Sequence, residues 1–284
     1  VVGVANPETQ RGLLRLAAAT ARAHEDDGVP ELVAVNVIEA EPDPERNVAS
    51  DRLESQRALL ETTRELATEM DITLRTSAIV SEDAGETLVN VIRDENADQA
   101  LVGWRGQPEQ GERVFGATLD TVVTQAPCDV SLVKIEDDAI GTPVALAGSG
   151  PHAPVSARRA VDFATVSDSV AVLLNVQQRA GDEQTSHVKR GRETIRSVAE
   201  RSGLDATEYD SAVGIAADIE SAIIEAVQEY DTVCVGLSEK NEISRAMFGS
   251  LAERISREIS GNVAIVRSIE AIDQPVTQME DSSQ

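Results

Sequence analysis

Leu101-Val102-Gly103-Trp104-Arg105-Gly106, then Phe115-Gly116-Ala117-Thr118-Leu119, then Ala126-Pro127-Cys128-Asp129-Val130-Ser131-Leu132-Val133 form a pattern that the chain writes twice. It returns 133 positions later as Cys234-Val235-Gly236-Leu237-Ser238, Phe248-Gly249-Ser250-Leu251 and Gly261-Asn262-Val263-Ala264-Ile265-Val266. In this register Gly103 falls on Gly236, Gly116 on Gly249, Asp98 on Asp231 and Val80 on Val213. Self-similarity over a length close to that of an ordinary domain means two tandem copies of one fold.

Working outward, the first copy opens on a strand, Val1–Ala5, followed by an Asn6-Pro7 turn and a helix with Leu13, Leu16, Ala17 and Ala21 on one face. Leu32-Val33-Ala34-Val35-Asn36-Val37-Ile38 is a nearly continuous apolar run, which suits a strand covered on both faces. Glu39–Asn47, with its prolines and charges, reads as a loop. A helix is expected over Asp51–Met70, a strand near Ile72–Val80 and a helix near Ala84–Glu95. Strand Gln99–Gly103, a helix near Phe115–Gln125 and strand Val130–Ile135 complete the copy. The second copy follows with Val144–Ala147, a helix from Val155, strand Val170–Val176 and a helix around Ser186–Ser202. Then come a strand near Thr207–Val213, a helix near Asp218–Glu229, strand Thr232–Gly236, a helix near Phe248–Ser260 and strand Val263–Arg267. The expected domains are 1–136 and 142–269, with 270–284 a disordered tail.

Strands alternating with helices imply an α/β fold: in each copy a five-stranded parallel sheet of Rossmann type, with helices on both faces. Ligands bind such sheets beyond the carboxyl ends of the strands, where the strand order reverses. Order 3-2-1-4-5 is expected in each copy. The apolar edge strands Val130–Ile135 and Val263–Arg267 are expected to pair with one another about a pseudo-twofold axis, because a bare apolar edge invites aggregation.

Composition narrows the function classes. The net charge is −25, from 50 acidic and 25 basic residues, and only Lys134, Lys189 and Lys240 are lysines. That field repels nucleic acid and anionic membranes and points to a halophilic cytoplasm, where salt screens self-repulsion. Aromatics make up 2%, so the cores are built from Val, Ile, Leu and Ala. Cys128 and Cys234 occupy non-equivalent positions and read as buried thiols; His24, His152 and His187 have no ligand spacing, so no metal site is expected. No stretch resembles a membrane span or signal peptide. Because Val1 opens a strand with no methionine before it, the chain reads as a fragment or processed product.

Gly103-x-x-Gly106, nine residues, then Gly116 is the motif that carries chemistry. With it, in both copies, the chain resembles a tandem member of the universal stress protein family, whose nucleotide-binding members carry Gly-x2-Gly-x9-Gly-(Ser/Thr). The resemblance runs end to end and includes Ala126-Pro127-Cys128-Asp129-Val130. It implies an adenine-nucleotide site, with ATP or AMP bound and Mg2+ present only with the nucleotide. The phosphates would lie near Gly103, Arg105, Gly106, Gly116, Ala117 and Thr118, and the base side near Ala5, Asn6, Val37 and Val102. Glycines let backbone approach phosphate, and a helix start favours anions.

Departures from the family pattern divide the copies. In the first, Asn6 stands where the family has Asp, Ala117 where it has a hydroxyl residue and Leu119 where it has a second one. In the second, Gly249-Ser250 is kept, but Glu239 replaces the middle glycine and Ser149 the Asp. A carboxylate about 4 Å from a phosphate repels it by roughly 4 kcal/mol at an effective dielectric near 20. The second copy is therefore expected not to bind ATP, whereas in the first both nucleotide binding and a purely structural turn fit the glycines.

No Ser–His–Asp arrangement, activated cysteine or Walker lysine points to an enzyme. Ser149 with His152 is the nearest constellation, and His152, between two prolines, reads as an exposed loop residue. Two functions fit. One is a non-catalytic stress-response or regulatory module, an intramolecular pseudo-dimer that can also form homodimers. The other is the soluble cytoplasmic regulatory domain of a membrane transporter, such as an amino-acid permease or cation antiporter, within the same polypeptide.

Overall fold

A computed structural model describes residues 1–23, 30–39, 48–105, 116–179, 184–237 and 250–270. The first copy runs β1 (Val2–Gly3), α1 (Gln10–Arg22), β2 (Leu32–Glu39), α2 (Val48–Glu69), β3 (Leu74–Ser81), α3 (Ala84–Asp94), β4 (Gln99–Gly103), α4 (Gly116–Gln125) and β5 (Asp129–Lys134). The second runs β6 (Pro143–Leu146), α5 (Ala153–Ala164), β7 (Ala171–Gln178), α6 (Gln184–Arg201), β8 (Tyr209–Ala216), α7 (Ile219–Val227), β9 (Thr232–Gly236), α8 (Ser250–Glu258) and β10 (Asn262–Arg267). The third strands end later than the apolar pattern suggests, at Ser81 and Ala216. There polar and small residues continue an edge strand that needs only one covered face. The expected disordered tail, from Ala271 on, lies outside the described residues.

The strands form one sheet in the order β3-β2-β1-β4-β5-β10-β9-β6-β7-β8, which is 3-2-1-4-5 read from each outer edge in toward the centre. Every pairing is parallel except the central one, where β5 and β10 run antiparallel with Leu132 opposite Ile265. Each copy thus closes the apolar edge of the other, as the edge argument requires. Helices α1, α2, α5 and α6 contribute to one core, around Leu14, Leu16, Phe163 and Ile195. Helices α3, α4, α7 and α8 contribute to the other, around Ile92, Val122, Val227 and Ile255. Equivalent caps repeat too: Asp83 accepts from Glu86 N at 2.9 Å, and Asp218 from Ser221 N at 3.3 Å.

The seam between the copies is built from counterparts. Lys134, at the end of β5, is buried and donates its Nζ to the carbonyls of Ser256 and Ile259, both at 3.1 Å. Arg267, at the end of β10, donates Nη2 to the carbonyls of Ala126 and Cys128 at 2.8 and 2.7 Å. Each cation therefore satisfies carbonyls at the carboxyl end of the other copy's last helix, where the helix dipole also favours positive charge. One step back along each strand pair, Asn262 Oδ1 accepts from Glu136 N at 2.9 Å and Asp129 Oδ1 from Ile269 N at 2.8 Å. Asp129, part of the run that carried the family resemblance, thus joins the two copies.

Candidate functional site

In the first copy the strand order reverses between β1 and β4, and the residues after these two strands form the carboxyl edge of the sheet. Val4 N donates to Val35 O at 2.9 Å, and Asn36 Nδ2 donates to Val4 O at 2.7 Å, which pins the backbone just before Ala5. Ala5 is exposed; Asn6 is half-buried, and its Oδ1 accepts from Glu8 N at 3.1 Å, an Asx turn that leads into α1. Val37 is half-buried on β2, Val102 is buried on β4, and Gly103 ends β4 half-buried. The Trp104 side chain folds inward and its backbone N–H donates to Val133 O at 2.8 Å, while Arg105 is exposed. Gly116 opens α4 at φ +77°, a left-handed conformation that glycine adopts without strain. Ala117 is exposed and Thr118 half-buried in the first turn of that helix. Gly106, and in the second copy Glu239 and Gly249, lie outside the described residues.

Neighbouring strands β2, β1 and β4 thus carry Val37, Ala5, Asn6, Val102 and Gly103 at one edge of the sheet, and α4 carries Gly116, Ala117 and Thr118 at its amino end. Among the described residues, a Cβ at Gly103 would touch only Leu13 Cδ2, at 3.4 Å. A Cβ at Gly236 would meet the carbonyl carbon of His152 at 2.9 Å and its oxygen at 3.0 Å. The second copy therefore needs its glycine for packing, because the start of α5 closes onto β9. Among the described residues, the first copy has room in front of its glycine.

His152 corrects the reading of an exposed loop residue. It is 1% exposed at the start of α5, and its Nδ1 accepts from Ser268 N at 2.9 Å. Burial, with Arg267 nearby, lowers its pKa to about 4, so the ring is neutral and serves as a fixed acceptor between α5 and the end of β10. Cys128 and Cys234 are buried and unreactive, with burial raising the thiols to about 11 and about 12.

One pair of residues was legible but unused. Asn36 and Asn175 sit at the same place in two otherwise apolar strands, and Asn175 Nδ2 holds Ala147 O at 2.6 Å as Asn36 holds Val4 O. In the second copy Gln177 Nε2 donates to Asn175 Oδ1 at 2.5 Å. Ile38 stands at the Gln177 position of the first copy, and Asn36 Oδ1, on a side chain 1% exposed, finds no donor among the described residues. A polar residue repeated inside two apolar runs was the signal.

Comparison with known proteins follows this division into repeats. The family model described as "Universal stress protein family" matches residues 1–134 and again 144–267. A universal stress protein of Archaeoglobus fulgidus superimposes with a TM-score of 0.59 at 14% identity, over 93% of this chain and 97% of that one. The cytoplasmic domain of a prokaryotic cation chloride cotransporter superimposes with a TM-score of 0.54 at 10% identity, over 94% of each chain. In sequence, the chain is 29% identical over 140 residues to the Na(+)/H(+) antiporter NhaS5 of Synechocystis sp.. That match takes in 49% of this chain and 19% of the antiporter. Among the described residues, no helix is long and apolar enough to cross a membrane.

Proposed function

The chain belongs to the universal stress protein family, and from that premise we propose that it is a non-catalytic regulatory module whose first copy binds an adenine nucleotide while its second copy has lost the site. The observation that carries this reading is the contrast between Gly103, open in front among the described residues, and Gly236, closed by the His152 backbone. Val37, Ala5, Asn6 and Val102 would take the base side. Gly103, Arg105, Gly106 and the α4 start at Gly116, Ala117 and Thr118 would take the phosphates of ATP or AMP. Bound nucleotide supplies its own Mg2+ and a state-dependent charge for the module to report. The unmet acceptor Asn36 Oδ1, present only in the first copy, adds to the asymmetry. Mass spectrometry of small molecules released from the purified, denatured protein tests the reading. An adenine nucleotide retained at up to one per chain supports it. Its absence, together with no calorimetric heat on adding ATP or AMP, removes it.

A second reading concerns what the module regulates. The sequence match to a cation antiporter and the shared fold with a cotransporter's cytoplasmic domain favour a module attached to a membrane transporter and working at its cytoplasmic face. The gene sequence upstream of Val1 tests it: a run of membrane spans in the same reading frame supports the attachment, and an initiator methionine at that point with no spans rejects it.

A further inference from the structure

On one face of the sheet the helices stand in the row α2, α1, α5, α6, with α1 packed against α5 at the seam and α2 and α6 on the two flanks. The flanking helices are counterparts, and their last turns fix the register between them. Met70 N donates to Leu66 O and Ile72 N to Ala67 O as the chain leaves α2; Ser202 N donates to Val198 O and Leu204 N to Ala199 O as it leaves α6. Asp71 and Gly203 then both take a positive φ, at 53° and 67°. The inward residues agree: Leu59, Thr63, Leu66 and Ala67 are buried on α2, and Gly191, Ile195, Val198 and Ala199 on α6.

In that register the outward faces differ in charge. Helix α2 exposes Glu54, Ala58, Glu65 and Glu69 where α6 exposes Ser186, Arg190, Ser197 and Arg201. Over its whole length α2 has five acidic and three basic residues, whereas α6 has two acidic and five basic, in a chain of net charge −25. Part of this charge is answered locally: Glu61 pairs with Arg64, Glu69 with Arg11, Lys189 with Glu193 and Arg196 with Glu200. Among the described residues, Glu54, Glu65 and Arg57 on α2 and Arg190, Arg192 and Arg201 on α6 have no ion-pair partner.

We infer that this row of helices is a docking surface for a second copy of the chain, with the basic α6 of each copy set against the acidic α2 of the other. Two twofold arrangements bring such rows face to face. An axis across the strands puts α6 on α6 and α2 on α2. An axis along the strands puts α6 on the partner's α2, and symmetry makes that contact twice. Charge selects the second, in which Arg190 and Arg201 meet the helix face that carries the partner's Glu54 and Glu65. Between these flanks α5 offers the half-buried Val155 and Val161 to the middle of the contact. At about 0.15 M salt the Debye length is about 8 Å, so repulsion between the two acidic chains is screened over most of their extent while opposite charges in contact still attract.

Sedimentation of the full chain in about 0.15 M KCl tests this. The chain should pass from monomer to dimer with rising concentration. Arg190→Glu with Arg201→Glu sets acid on acid at both contacts, and Glu54→Arg with Glu65→Arg sets base on base; each change should raise the dimer Kd at least about tenfold. An equimolar mixture of the two variants should regain the association of the parent, because each offers the charge that the other's helix requires. All four positions are exposed, and urea midpoints matching the parent's identify both variants as folded. A chain that stays monomeric, variants that associate as the parent does, or a mixture that stays monomeric overturns the proposal. A monomeric chain that binds phosphatidylserine vesicles through Arg190 and Arg201 also overturns it, in favour of an anionic membrane as the occupant.

Discussion

Alanine at the two equivalent glycines Gly103 and Gly236 should give opposite results. At Gly236 the added carbon meets His152 backbone at 2.9–3.0 Å, and neither partner can rotate away, because α5 is held by its packing and by the His152–Ser268 bond. Overpacking of this kind costs about 1–3 kcal/mol. At Gly103 the nearest atom is the end of the Leu13 side chain, at ordinary contact distance. There the loss of unfolded-chain freedom should stabilise the fold by about 0.4–1 kcal/mol. At about 2–4 °C per kcal/mol, Gly236→Ala should melt several degrees below the parent and Gly103→Ala at or slightly above it. Urea unfolding followed by circular dichroism measures both, with Trp104, the single tryptophan, as a reporter local to the first copy. If the two variants lose equal stability, the claim that one cleft is open and the other closed fails. Gly103→Ala should also weaken nucleotide binding while leaving the fold intact.

Acid should act through His152. Its folded pKa of about 4 lies below the ordinary 6.5, so the stability it contributes is complete above pH 6.5 and is lost as the pH falls from there toward 4. The full effect is about 3 kcal/mol, and His152→Thr, which imports the counterpart residue Thr9, should flatten that part of the stability–pH curve. Arg267→Met leaves two helix-end carbonyls without their donor and should cost about 2 kcal/mol by urea titration; Arg267→Met and Lys134→Met each costing less than about 0.5 kcal/mol would mean that solvent replaces the cations at the seam. With a net charge of −25, the Tm should rise from dilute buffer to molar KCl and equally in NaCl, since charges about 10 Å apart are screened only at high salt. A flat profile would remove the argument for a halophilic host.

Much of this architecture is written in the repeat. The Gly103/Gly236 register marks two copies of one fold, and the apolar runs of β5 and β10 mark the edges that pair at the centre, because an apolar edge strand must be covered. Details that depend on the meeting of the two copies were harder to read. Asp129 looked like part of a family signature, yet its carboxylate serves Ile269, 140 positions away. His152 sits in a turn-forming sequence, Pro151-His152-Ala153-Pro154, and periodicity says nothing about a ring that folds under the end of β10. Ile140 follows Glu136, Asp137 and Asp138 in the segment between β5 and β6, yet the approach of β6 to β9 makes it part of the core. The glycines are found by spacing, whereas the difference in packing around them rests on how close α1 and α5 come to the sheet.

The central claim, one working site in the first copy only, is tested most directly by titrating the isotope-labelled protein with ATP and Mg2+ and following backbone amide resonances. The account expects one site per chain, with shifts concentrated at Ala5, Asn6, Val37, Gly103 and Gly116–Thr118 and none at Ser149 or Gly236. Equal shifts in both copies, or none in the first, would contradict it.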